Sequence, residues 1–93
     1  MKIGVTGVGG GVGQSILKSL ADTDYDIIAF DSEPLAAGLF KTKKSYLVPY
    51  ANNQNYIVRL FEICQREKIL LLFPGLDAEL MKLAESALKN AEM

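Results

Sequence analysis

Ile3-Gly4-Val5-Thr6-Gly7-Val8-Gly9-Gly10-Gly11-Val12-Gly13-Gln14-Ser15 decides how the rest of the chain is read. It is a short apolar strand, a turn holding five glycines, and the first turn of a helix. Glycine alone takes positive φ freely and lets another group come close to the main chain. A helix that begins there presents unpaired N–H groups and the positive end of its dipole, which together favour an anion. The stretch therefore predicts a strand-to-helix junction at the edge of a parallel sheet.

Working outward, Lys2 to Thr6 forms the first strand. Val12, Ile16, Leu17 and Leu20 recur at helical spacing and give the following helix one apolar face. Asp26 to Asp31 is a second strand, stopped by Glu33-Pro34, and Leu35 to Phe40 reads as a loose helical turn. Ser45 to Val48 is a third strand, and Pro49 behind it suggests a sheet edge. Asn53 is the expected N-cap of a second long helix. That helix should bury Ile57, Leu60, Phe61 and Cys64 and turn Arg59, Glu62, Arg66 and Glu67 to water. Ile69 to Phe73 is apolar throughout and reads as a strand covered on both faces. Asp77 reads as the N-cap of a last helix, with Leu80, Leu83, Ala84, Ala87 and Leu88 on one side. Tyr46, Tyr50 and Tyr56 are expected to cover the sheet edge.

Strands alternating with helices imply an α/β fold: a Rossmann-like, doubly wound parallel sheet with helices on both faces. Right-handed crossovers give four strands in the order 3-2-1-4. Ligands of such sheets sit outside the carboxyl ends of the strands, where the order reverses. The glycine turn and the loop Pro74-Gly75-Leu76-Asp77 should meet there.

Composition narrows the classes. Ninety-three residues make a single domain, 1–93. Ten basic against eleven acidic residues leave a net charge of −1, which argues against nucleic acid as a partner. Cys64 stands alone, so no internal disulfide forms and a reducing compartment fits. Histidine is absent, and with it the commonest general base and metal ligand; no metal site is predicted. No apolar run approaches the roughly 20 residues of a membrane span. The N-terminus carries no secretory pattern, so a cytoplasmic protein without a membrane partner is the expectation.

The glycine turn fails the G-x-G-x-x-G fingerprint, because Val12 stands where the third glycine belongs. G-x-x-G-x-x-G does fit at Gly7, Gly10 and Gly13, a spacing found in extended short-chain dehydrogenases and epimerases. No Gly-Lys-Ser/Thr follows, which excludes a P-loop. The turn either contacts a ligand or is only a tight junction. Asp31, ending the second strand, either meets a nucleotide ribose or caps the turn at Ser32-Glu33-Pro34. Asp77 either caps its helix or faces a substrate. Lys41, Lys43 and Lys44 read as a solvated basic loop, and Cys64 as core packing with no histidine to activate it.

Four stretches then resemble one family across nearly the whole chain. They are Val5-Thr6-Gly7 through Val12-Gly13, and Asp31-Ser32-Glu33-Pro34-Leu35-Ala36. The third is Tyr46-Leu47-Val48-Pro49 followed by Asn53-Gln54-Asn55-Tyr56-Ile57. The fourth runs from Ile63-Cys64-Gln65-Arg66-Glu67 to Phe73-Pro74-Gly75-Leu76-Asp77-Ala78-Glu79-Leu80. The chain resembles the N-terminal, pre-ATP-grasp domain of ATP-grasp ligases, and is similar to carbamoyl-phosphate synthase large-subunit-like proteins. The resemblance implies part of an ATP-dependent carboxylate–amine ligase, with ATP and magnesium bound by later domains. Its partners would be a small-molecule substrate and that missing ATP-grasp domain. By matching position, Gly9, Gly10, Gly11, Asp77 and Asp31 would face the substrate. Lys41-Thr42-Lys43-Lys44 departs from relatives, which often carry an acidic residue there. The chain is thus expected to be a piece of a longer protein, inactive alone, with no catalytic residue and no cofactor of its own. Self-association through apolar surface that its partner domain would cover is also expected. Two other readings stay open: a fragment of an NAD(P)-dependent epimerase or reductase using Gly7, Gly10, Gly13 and Asp31, and a non-catalytic binding module.

Overall fold

A computed structural model describes residues 1–92, and the side chains of residues 1–86. β1 (Lys2–Val5) leads into α1 (Gly11–Leu20), and β2 (Asp26–Asp31) into a 3₁₀ turn (Ala37–Phe40). β3 (Lys44–Leu47), α2 (Tyr56–Glu67), β4 (Leu71–Phe73) and α3 (Asp77–Glu92) complete the order. All strand pairings are parallel, and the sheet runs β3-β2-β1-β4, the expected order.

Strand alternation sends side chains to two cores. Val5 and Ala29 join Val8, Leu17, Ala36 and Leu39 on the α1 face. Ile28 and Phe30 join Tyr56, Leu60 and Ile63 on the α2 face. Each large side chain so buried contributes about 1.5–3 kcal/mol. Val12, expected on the buried face of α1, is 61% exposed.

Several other expectations are corrected. β4 is shorter than Ile69 to Phe73, and at the edge position the expected order gives it Leu71 and Phe73 are exposed rather than covered. An apolar run signals burial on both faces only where neighbours exist to supply it, and β4 has β1 alone beside it. α2 begins at Tyr56 rather than after Asn53; the Asn53 side chain instead accepts from the Asn55 amide at 2.8 Å, closing a turn ahead of the helix. Its buried stripe is Tyr56, Leu60, Ile63 and Glu67, rotated from the expected one, so Phe61 is exposed and Glu67 is not. On α3, Glu79 is buried, Leu83 partly buried, and Leu80 and Ala84 exposed; Ala87 and Leu88 lie outside the described side chains. Tyr56 is a core residue rather than an edge cover, Tyr46 stacks on Phe30, and Tyr50 is exposed with its hydroxyl donating to Glu33.

α2 closes with Lys68 in the left-handed conformation (φ 59). Ile69 N–H donates to the Cys64 carbonyl at 2.9 Å and Lys68 N–H to that of Gln65 at 3.3 Å. This paired closure satisfies carbonyls that the helix end leaves over. It delivers Glu67 beneath the sheet, where it accepts from Lys44 at 2.9 Å, from Lys2 at 3.4 Å and from the Tyr46 hydroxyl.

The Tyr46 hydrogen bond foremost, then the lysines, hold the Glu67 carboxyl down to about 2 against the opposing effect of burial. Its folded value is depressed, so its contribution is present above the ordinary carboxylate range and lost as pH falls towards 2. Glu67→Gln should therefore flatten the acid limb of a pH-dependent unfolding curve; an unchanged acid limb would contradict the assignment.

Candidate functional site

The site is assembled where β1 ends. Gly7 takes φ 62, a left-handed value that folds the chain back after Thr6. Gly10 then precedes α1 in extended conformation, and no side chain caps the helix. The Gly10 amide donates to the Gly7 carbonyl, and Gln14 N–H to the Gly10 carbonyl. Among the described residues the amides of Gly11 and Val12 meet no acceptor, and both residues are exposed. An uncapped helix start with no acidic side chain in its first turn favours an anion.

Two close approaches hold this geometry. A Cβ on Gly13 would lie 2.2 Å from the Gly7 carbonyl oxygen, so α1 crosses its own entry turn at a distance only glycine permits. A Cβ on Gly75 would lie 2.3 Å from the Thr6 carbonyl oxygen and 2.9 Å from the Gly13 Cα. The loop after β4 is thereby pressed onto the glycine turn. Leu76 follows, its side chain beside Gly7 and Gly10.

The structure sorts the candidates. Gly7 and Gly13 are buried and serve packing; Gly9, Gly10 and Gly11 are the outer members of the turn. Asp31 is 7% exposed and spans both ends of its own environment. One oxygen accepts from the Gly9 amide at 2.7 Å and the other from the Glu33 amide at 2.9 Å. It fastens β2 to the turn, and the Glu33 contact is the cap weighed from sequence. Asp77 is exposed and stands inside α3; the N-cap position falls to Leu76, whose carbonyl accepts from Leu80 N–H at 3.0 Å. Among the described residues no three His, Cys, Asp or Glu side chains gather as metal ligands. None of the described helices is long and apolar enough to cross a membrane.

Sequence reasoning missed Glu79. It lies in the first turn of α3, 4% exposed, against Gly7. Its Oε2 accepts from the Tyr56 hydroxyl at 2.7 Å, while its Oε1 is buried with no partner. Thr6, whose hydroxyl accepts from the Gly75 amide at 3.4 Å, adjoins the same carboxyl. Burial pushes the Glu79 carboxyl up, helped by the nearby Asp31 charge and opposed by the Tyr56 and Thr6 hydroxyls. Burial likewise raises the Tyr56 phenol, with the Glu79 contact adding to it. The available signal was helical spacing: Glu79 lies one turn before Leu83 on the buried side of α3.

The fold and the site define a doubly wound α/β domain with a glycine-rich turn and unpaired helix amides at the carboxyl edge of its sheet. Residues 5–93 match the family model described as PylC-like, N-terminal domain, and the chain belongs to that family. Nothing among the curated proteins matches. Among solved structures, the chain is similar to dTDP-glucose 4,6-dehydratase (rfbB) from Bacillus anthracis str. Ames in complex with NAD, at 19% identity and a TM-score of 0.63. The alignment covers 97% of this chain and 34% of the dehydratase, so this chain spans about a third of that enzyme. At that identity the likeness establishes the fold.

Two outcomes test the site's construction. Gly13→Ala should cost at least about 2–3 kcal/mol, because it drives a methyl group into backbone atoms that cannot swing away. Gly11→Ala, with open space around its Cβ, should stay within about 0.5 kcal/mol of the parent in urea unfolding.

For Glu79 the raised carboxyl means that folding retains a proton, so its contribution is full at low pH and declines as pH rises past the ordinary carboxyl range. Glu79→Gln should remove that decline, melting close to the parent at low pH and above it as pH rises towards neutral. A parent-minus-variant difference that does not change with pH would refute the assignment.

Proposed function

We propose that this chain is the substrate-side N-terminal domain of an ATP-dependent carboxylate–amine ligase of the ATP-grasp type, similar to carbamoyl-phosphate synthases. Membership of the PylC-like N-terminal domain family supports the class. One observation carries the role: the amides of Gly11 and Val12 stand without an acceptor at an uncapped helix start, on the turn against which the β4 loop packs. Fixed amides and a helix dipole stabilise a carboxylate or phosphate without reorganising when it arrives. In this reading Gly9, Gly10 and Gly11 receive the anionic group, and exposed Asp77 orients the nucleophile's polar group. Asp31 holds the turn in shape rather than touching substrate. ATP and magnesium belong to a separate ATP-grasp domain, the partner of this one, and this chain supplies positioning and charge stabilisation. The rest of that activity lies with residues outside this sequence.

The test is a titration followed through amide resonances. Acetate and inorganic phosphate should shift Gly11 and Val12, and ATP hydrolysis by this chain alone should stay at background. Turnover by this chain alone would overturn the proposal. Tight NADH binding that Asp31→Ala abolishes would instead support an NAD(P)-dependent epimerase or reductase.

A further inference from the structure

The second crossover of the sheet leaves a gap. β2 passes to β3 through the short 3₁₀ turn, not a full helix, and that turn is pinned high on the sheet, where Gly38 lies against Val8. The lower half of the α1 face, over β2 and β3, has no covering helix. A groove of about 810 Å³ remains between the flank of α1 and the loop that enters β3.

The groove is amphipathic in its lining. Leu17, Leu20 and Ile27 contribute an apolar floor. Lys18 on α1 and Lys41 and Lys43 on the opposite wall contribute the charge. None of these three lysines makes a salt bridge among the described residues, whereas Lys2 and Lys44, also at the groove, are tied to Glu67. Asp26 is the one carboxylate in the lining. The groove is joined to the glycine turn at its upper end. Lys41 Nζ donates to Gln14 Oε1 at 3.2 Å, and Gln14 Nε2 donates to the Gly9 carbonyl at 3.0 Å.

We propose that this groove binds a small organic anion, a phosphate or carboxylate carried on an apolar body, at a site separate from the glycine turn. Three facts favour that class. The volume falls within the roughly 300–1,000 Å³ of small-molecule sites. The floor offers apolar contact, and the rim offers Lys18, Lys41 and Lys43, none in a salt bridge among the described residues. An anion that draws Lys41 away frees Gln14 from its contact, so occupancy is linked to the Gly9 end of the turn. The site stands independently of the ligase reading.

Phenyl phosphate is a suitable probe, with inorganic phosphate and phenol as its two halves. Titrated into the ¹⁵N-labelled chain, phenyl phosphate should shift the amides of Ser15, Lys18, Thr23, Ile27 and Lys43 and bind more tightly than either half. The combined Lys18→Glu and Lys43→Glu variant should weaken it at least about tenfold, as expected for loss of charge-assisted contacts. Both lysines are exposed, so the variant should fold, and its circular dichroism checks that it does. Shifts confined to residues 7–13 would overturn the groove while supporting the ligase site. Shifts confined to Val12 and Phe73, an unchanged affinity in the double variant, or no saturable shift at all would also overturn it.

Discussion

Contact between three glycine backbones is the constraint on which this structure rests. Gly13 lets α1 cross over Gly7, and Gly75 lets the β4 loop settle against Thr6 and Gly13. A side chain at either crossing would need to occupy space already filled by main-chain atoms. The joint fixes the direction in which α1 leaves the sheet and where α3 begins. It thereby sets the glycine turn beside the loop that leads into α3. The two flanking cores secure the sheet on either side of that joint.

Behind the joint lies a buried polar triangle of Thr6, Tyr56 and Glu79. It joins the end of β1, the start of α2 and the start of α3, the elements that surround the glycine turn. A buried carboxyl with one unpartnered oxygen is costly when ionised. Burial raises its proton affinity, which disfavours a negative charge behind the glycine turn. The opposite end of the sheet uses the reverse device: Glu67 is ionised and satisfied by Tyr46, Lys44 and Lys2. Glu67 and Glu79 are thus shifted in opposite directions: hydrogen bonds from Tyr46 and the lysines hold Glu67 down, and burial pushes Glu79 up.

The fold was legible because its signals were local. Glycines between Val5 and Gln14, alternating strand and helix periods, and Pro-Gly after Phe73 suffice for four parallel strands in the observed order. The crevice was legible for the same reason, since both loops follow strands that topology makes neighbours. The roles within it were less so. Asp31 could cap or contact a ligand, and only coordinates show both its oxygens engaged by backbone amides. Glu67 looked solvent-facing by helical spacing, and Glu79 was not singled out; each is buried where a partner elsewhere in the chain meets it. β4 read as covered on both faces because its sequence is apolar, yet its outer residues are open. Leu71 and Phe73 leave an apolar edge on the α1 side. Pairwise and neighbour-dependent features of this kind are not encoded in periodicity.

The most direct test of the crevice is the nuclear Overhauser contact between the α protons of Gly13 and Gly75. The close packing described here predicts a strong cross-peak between them, together with contacts from Gly75 to Thr6. Absence of that cross-peak, with Gly75 showing contacts only to the far end of the sheet, would contradict the account.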